Sequence, residues 1–273
     1  MHGLSKSRYT TFCQCEKVLW LKAYKSQEEV IVSDRQLRLE NGNRVGDLAM
    51  GLFGPYVEVT TLNLDGSQNL DAMVAKTKEE MRKGTSVICE ASFFYEGNYC
   101  AVDILCKTDN GWAIYEVKSV TDINSSKKRD QLMEFTLDIA YQRWLLEHCG
   151  INVTGTFLVY LDKKYERQGA LDLQKLFVIK DMGELINKEL PKVSESVSKA
   201  MQILANPKEL EQGLSRACNK PYPCGFWNYC TRFCLSHLCL TFMAEQSIAR
   251  GMIGFSFLRN WSSSTKAKCR LMT

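Results

Sequence analysis

Between residues 98 and 120 the chain carries charged side chains at spacings that suit phosphate chemistry. Asp103 precedes Asp109-Asn110-Gly111, and Glu116-Val117-Lys118 follows it. Asn110-Gly111 is a strong hairpin signal, because both residues tolerate the positive φ of a type I′ turn. With those two as the loop, Asp109 pairs with Trp112, and counting back places Asp103 opposite Lys118. Glu116 lies two residues before Lys118 and so shares its face. The two acids are then diagonal neighbours, about 7–8 Å apart at the backbone. Val102, Ile104, Tyr115 and Val117 fall on the other, apolar face. Two carboxylates converging beside a lysine suit a hard divalent cation such as Mg²⁺ or Mn²⁺, with positions left for water and a phosphate oxygen. The lysine can hold the attacking water or offset charge developing on the phosphate. The plainer reading of the same residues is a salt bridge on a half-exposed sheet.

A second constellation lies near the C-terminus. Cys218, Cys224 and Cys230 are each separated by five residues, with Pro221, Pro223, Tyr222, Phe226, Trp227 and Tyr229 between them. Structural zinc sites usually space their cysteine pairs by about two to four residues, which argues against a zinc ribbon. Cys15, in Ser5-Lys6-Ser7 to Phe12-Cys13-Gln14-Cys15-Glu16, is the candidate fourth thiolate, with Cys13 as the substitute. Cys89, Cys100, Cys106 and Cys149 read as core, and Cys234, Cys239 and Cys269 receive no role.

The elements that must position these residues follow from apolar spacing. Residues 5–25 read as one helix with Ser5 or Ser7 as N-cap and Tyr9, Phe12, Leu19, Trp20 and Tyr24 as anchors. A helix over 33–53, starting at Ser33 or Asp34, closes near Gly54-Pro55, and another over 70–83 stops at Gly84. From Ser86 the period becomes that of strands: 86–95, 98–107 and 112–120 form an antiparallel meander broken at Glu96-Gly97 and Asp109-Asn110-Gly111. A helix at 130–148, strands at 154–161 and 175–180, and a helix at 181–205 complete the core. The fold expected is α/β, with a central mixed sheet flanked by helices. One domain is expected over 1–233, its core over about 84–180, and 234–273 forms an unassigned tail.

Composition narrows the class. Of 273 residues 45% are apolar, and 35 basic against 31 acidic residues leave a formal charge of +4. That excludes a disordered tail, a collagen-like repeat and a coiled coil, and permits a nucleic-acid partner without demanding one. The N-terminus lacks the apolar stretch of a signal peptide, and no window approaches the ~18 apolar residues of a membrane span. The expectation is a soluble, cytoplasmic protein whose twelve cysteines are mostly reduced.

Asp103, twelve intervening residues and Glu116-Val117-Lys118 resemble the core of the PD-(D/E)XK nuclease superfamily, with Val102 where proline is usual. The stretch from Ser5 to Trp20, taken with the C-terminal cysteine triplet, is similar to the iron–sulfur subgroup of RecB-like nucleases. That subgroup includes the CRISPR-associated exonucleases and a related bacterial family. The resemblance covers about residues 4–230 and implies a restriction-endonuclease-like core. It implies a [4Fe–4S] cluster on Cys15, Cys218, Cys224 and Cys230, stapling the two ends of the chain, and Mg²⁺ or Mn²⁺ on Asp103, Glu116 and the Val117 carbonyl. Lys118 would position water. Gln142 occupies the place of a glutamine that orients water or DNA, and Glu90 is either a third acid or a solvent-facing strand residue. Lys127-Lys128-Arg129 and Lys163-Lys164 are candidate phosphate contacts. One position departs: Gly46 stands where the resemblance implies a metal-binding histidine. The expected activity is hydrolysis of DNA phosphodiesters, with a preference for single strands or ends. The alternatives are a weakly active nucleic-acid-binding module with a structural cluster, and a zinc-stapled protein-interaction domain.

Overall fold

In the computed structural model, which describes residues 3–30, 35–123, 125, 128–220 and 222–232, a short strand β1 (Leu4–Ser5) leads directly into α1 (Lys6–Gln14) and α2 (Glu16–Tyr24). There follow α3 (Arg35–Met50), β2 (Val57–Glu58), α4 (Leu70–Lys83), β3 (Val87–Tyr95), β4 (Asn98–Thr108) and β5 (Gly111–Lys118). Beyond them come α5 (Arg129–His148), β6 (Val153–Leu161), α6 (Leu173–Leu176), β7 (Phe177–Asp181) and α7 (Gly183–Ala205). The chain divides into two units. The first runs to Gln212 and takes in Arg216–Phe226; the second holds Gly213–Ser215 and the residues from Trp227 on, including α8 (Trp227–Thr231). Residues 234–273, with Cys234, Cys239 and Cys269, lie outside the described residues, as do Ser33, Asp34, Lys127 and Pro221.

The expected mixed sheet is present. Its order is β2-β3-β4-β5-β6-β7, with β1 paired to β4 beside this path. The meander β3-β4-β5 is antiparallel, β6 lies parallel to β5, and α5 makes the crossover that a parallel pair requires. On one face of the sheet Ala49 and Met50 of α3 pack with Cys89, Ile104, Val159 and Phe177, joined by Val45, Tyr115 and Val117. The helices α1 and α5 cover the other face. There Tyr9 stacks on Tyr141 at 4.7 Å, and the Tyr141 hydroxyl donates to the Leu4 carbonyl at 2.8 Å. Among the described residues no helix is long and apolar enough to cross a membrane, and no two of the nine cysteines are joined in a disulfide.

Several expectations need correction. The helix expected over 5–25 is two helices, because Cys15 adopts an extended backbone (φ −161°, ψ 117°) that ends α1 and opens α2. Ser5, not Ser7, caps α1, its Oγ accepting from the Arg8 N–H. The helix over 33–53 ends at Met50 and tightens into a 3₁₀ turn over Gly51–Phe53. The strand expected from 175 begins at Phe177, after the single turn α6. Gly84 does stop α4, in the left-handed conformation (φ 82°) that glycine adopts without strain.

The largest correction concerns the β4–β5 turn. Its loop is Asp109-Asn110, with Gly111 already in the ladder opposite Thr108. Neither Asn110 nor Gly111 has positive φ. Gly111 is glycine because a Cβ there would lie 2.2 Å from the Asn152 carbonyl oxygen, which accepts the Trp112 N–H. A long-range contact chose that residue, which local turn chemistry cannot reveal. The turn with two positive φ values is instead Glu96-Gly97, at 45° and 81°, between β3 and β4.

Candidate functional site

The corrected register brings the acids closer than the sequence suggested. With Ile104 opposite Tyr115, the next position sets Asp103 against Glu116, not against Lys118. The β4–β5 ladder stops at Ile104. The Asp103 carboxylate takes over where it stops: Oδ2 accepts the Val117 N–H at 2.7 Å.

The sheet is open at this point for a topological reason. One edge of β4 is filled by β3 from Asn98 to Cys106. The other edge is shared, β1 holding Asn98 and Tyr99 from one end and β5 holding Ile104 to Thr108 from the other. Residues 100–103 form the gap between them. Lys6, the residue after β1, enters that gap. Its Nζ lies 3.3 Å from Asp103 Oδ1 and 3.2 and 3.1 Å from the two Glu116 oxygens.

Lys118 closes the other side, donating to Glu116 Oε1 at 2.6 Å and to Asp138 Oδ2 at 2.7 Å. Gln142, one turn beyond Asp138 on α5, donates from Nε2 to Glu116 Oε2 at 2.7 Å and to Asp138 Oδ1 at 3.2 Å. Both partners are acids in ion pairs with lysine, so the amide nitrogen must face them. That turns Oε1 away, and it is buried without a hydrogen-bond partner among the described residues. Glu116 is 1% exposed, whereas Lys6, Asp103 and Lys118 each keep between 22% and 24% of the side chain in contact with solvent. The centre is therefore buried at its root and open at its mouth.

Its electrostatics follow from this packing. Burial pushes the Asp103 carboxyl up, and the neighbouring Glu116 adds to that. Burial would raise Glu116 too, but Lys118 and Lys6, with hydrogen bonds from Lys118 and Gln142, hold it well below the usual carboxylate range. Burial works against the charged form of both lysines, yet the acids beside them raise both. Glu90, across from Asp103 on β3, is pushed up to about 7 by burial and by Asp103. Its φ of 57° is rare in a non-glycine residue and marks a strained backbone beside the acids. Glu90 is half-buried and lies on the same face as Asp103.

The expected residues Asp103, Glu116, Lys118, Glu90 and Gln142 thus share one face, as does the Val117 backbone through its N–H. Two members escaped the sequence reading. Lys6 enters the sequence analysis only within Ser5-Lys6-Ser7, the stretch that leads to Cys15. Asp138 is four residues before Gln142, a spacing that places both on one helix face and could have found it. Gly46 lies on α3, whose Val45 and Ala49 pack on the opposite face of the sheet. Lys163 and Lys164 are exposed on the turn after β6.

The thiols gather at a second place in the first unit. Cys15 is the N-cap residue of α2 but makes no side-chain capping hydrogen bond; the Lys17 N–H goes instead to Gln212 Oε1 at 3.0 Å, and burial raises the Cys15 pKa with help from Cys218. Cys224 is likewise raised by burial and by Cys218 and Cys15, its sulfur takes the Phe226 N–H, and its own N–H donates to the Cys218 carbonyl at 2.9 Å. The side chain of Gln14 ties α1 to this loop, donating to the Ala217 and Lys220 carbonyls at 3.2 and 3.3 Å. Cys13 faces elsewhere, in contact with Tyr9. Cys230 belongs to α8 of the second unit. Among the described residues, no group of three or more His, Cys, Asp or Glu side chains closes to the spacing of a bound metal ion. No family model matches this chain. No curated protein matches it significantly.

Proposed function

We propose that this chain is a divalent-ion-dependent deoxyribonuclease of the PD-(D/E)XK, RecB-like kind, with a restriction-endonuclease-like core and a [4Fe–4S] staple. The observation that carries the reading is the meeting of Asp103 and Glu116, from adjacent strands, around a single cationic group, with Lys118 and Gln142 fixed on the same carboxylate. A donor set that already holds an ammonium, and that keeps a buried unpartnered oxygen on Gln142, fits a hard cation with its waters. Asp103, Glu116 and the Val117 carbonyl would hold Mg²⁺ or Mn²⁺, which supplies Lewis-acid stabilisation and lowers the pKa of water.

The protein's own groups do the rest. Lys118, locked between Glu116 and Asp138, faces the position where an attacking water would lie and where charge grows on the phosphate. Gln142 sets the Glu116 rotamer through its amide nitrogen and offers its free oxygen to a water proton. Asp138 orients Lys118 and Gln142 together. Glu90, uncharged or charged near neutral pH, adds an acid on the third strand. The substrate is a DNA phosphodiester, single-stranded or at an end.

Cys15, Cys218 and Cys224, whose thiols lie near enough to raise one another's pKa values, suit thiolate ligation of iron, and the resemblance adds Cys230 as the fourth ligand. This half has its own test: anaerobically purified protein should carry iron and broad visible absorbance. Cys15→Ser should lose both and Cys13→Ser should keep both. The activity is tested with labelled single- and double-stranded DNA and Mn²⁺, the Asp103→Ala protein alongside. Cleavage by the parent alone is the expected result. Absence of cleavage by either, with the cluster intact, overturns the enzymatic reading.

A further inference from the structure

We propose that Lys6 is a tethered counter-ion that occupies the divalent-ion position of the acid centre, leaves it when the ion binds, and then serves the substrate phosphate. The inference rests on the nuclease reading above and deepens it. Lys6 is no ordinary surface partner of these acids. Its single Nζ contacts Asp103 Oδ1 and both oxygens of Glu116, while the remaining oxygen of Asp103 is spent on the Val117 N–H. The oxygens that would ligate an ion are the ones that Lys6 holds.

Placing an ammonium there is costly. Lys6 is the first residue of α1, where the helix dipole favours anions, and no acidic residue stands in that first turn to offset it. The backbone nonetheless delivers it firmly. Leu4 and Ser5 are paired to β4, the Leu4 carbonyl is held by Tyr141, and Ser5 caps the helix. Every constraint aims the next side chain into the gap of the sheet.

Counting charge separates two possible roles. Asp103, Glu116 and Asp138 oppose Lys6 and Lys118, so these five groups carry one net negative charge when all are ionised, and Glu90, when ionised, adds a second. A divalent ion added beside Lys6 would put two cations on the same partly desolvated oxygens. Exchange for Lys6 satisfies the acids instead. Lys118 cannot make that exchange, because Asp138 holds it on the far side of Glu116. Lys6 has only the metal-side oxygens, and its flexible four-carbon stem keeps about a quarter of its surface at the mouth. Released there, its ammonium meets whatever anion the ion brings, and a phosphodiester is the anion that fits this centre.

The test is Mn²⁺ binding to the full-length protein without DNA, read by calorimetry or by loss of the free Mn²⁺ resonance. Parent, Lys6→Met, Lys6→Arg and Asp103→Ala are compared. Lys6→Met should bind Mn²⁺ at least tenfold more tightly than the parent, and Lys6→Arg, which fits two carboxylates better, no more tightly than the parent. With Ca²⁺ replacing Mn²⁺ so that DNA is not cut, Lys6→Met should bind an oligonucleotide more weakly than the parent. Where Lys6→Met fails to fold, the same comparison rests on Lys6→Arg, expected to bind Mn²⁺ more weakly. Unchanged or weaker Mn²⁺ binding by folded Lys6→Met, with binding absent in Asp103→Ala, overturns the counter-ion role and leaves the nuclease reading standing. Mn²⁺ binding by Asp103→Ala equal to the parent, or by none of the four proteins, overturns both.

Discussion

The two faces of the β4–β5 hairpin carry opposite chemistry on the same dozen residues of strand. Ile104, Tyr115 and Val117 lie in an apolar layer with α3, among aliphatic, aromatic and sulfur-bearing side chains. Asp103, Glu116 and Lys118, each one residue away along the chain, lie in a network of five charged groups under α1 and α5. An apolar layer stabilises by burial, about 25 cal/mol per Å² removed from water. Burying charged pairs is often neutral or unfavourable, since desolvation offsets the attraction. The difference teaches that the first face explains why the sheet forms and the second does not. Its charges need another reason to be there, and the proposed ion and phosphate chemistry would supply one.

Adjacent substitutions test this division most directly. Asp103→Asn keeps the acceptor for the Val117 N–H but removes a charge from the ion position. Cleavage should fall by about 10²–10³-fold or more, a loss of the size seen when one electrostatic stabiliser is removed. Its thermal midpoint should change little. Ile104→Ala, one residue away, should do the reverse. It should lower unfolding stability by about 2–5 kcal/mol, as for other buried isoleucines truncated to alanine, while activity at low temperature is retained. Denaturation curves beside cleavage rates decide it. Equal stability loss in both variants would erase the distinction between the faces.

The acid face should also reveal itself through pH. Glu90 has its carboxyl pushed up to about 7 by burial and by Asp103, against an ordinary value near 4.5. Between those values the folded protein binds more protons than the unfolded chain at this group, so stability falls as pH rises through that window. Glu90→Gln removes the penalty. The variant should be more stable than the parent at pH 8, by less than the roughly 3 kcal/mol that this shift represents, because solvent screens this partly exposed group, with the gain shrinking toward pH 4.5. Urea midpoints at several pH values measure it. A gain that grows on acidification would contradict the assignment.

The elements were legible where local signals were also the tertiary ones. The alternation of 86–118, the Gly84 stop and the long helix after the hairpin all stand where apolar period and capping put them. The acids were found by type and spacing, but their pairing was read one register off. Asn110-Gly111 satisfies a turn rule, and only the approach of Asn152, forty residues away, shows why the glycine is there. Cys15 sits in a helical pattern and breaks it, because its backbone is extended between α1 and α2. Lys6 was invisible for a third reason. Its role depends on β1 and β5 meeting on one edge of β4, a fact of topology that no window of sequence contains.

The smallest expected effect sharpens the comparison from the apolar side. Gly46 stands where the resemblance implies a metal-binding histidine, yet it lies on α3, the helix that packs on Ile104 and Val117. A Cβ built there meets no described atom within 4 Å, and the same holds at Gly42, one turn earlier. Glycine inside a helix costs about 0.5–1 kcal/mol relative to alanine, because it loses more backbone freedom on folding. Gly46→Ala should therefore raise stability by about that amount and the melting temperature by about 2–4 °C. Mn²⁺-dependent cleavage should stay at the parent's rate. A scanning-calorimetry gain with unchanged activity would mean that position 46 belongs wholly to the packing face. A loss of cleavage would mean instead that substrate or ion passes close to this stretch of α3, and that glycine is kept there for clearance.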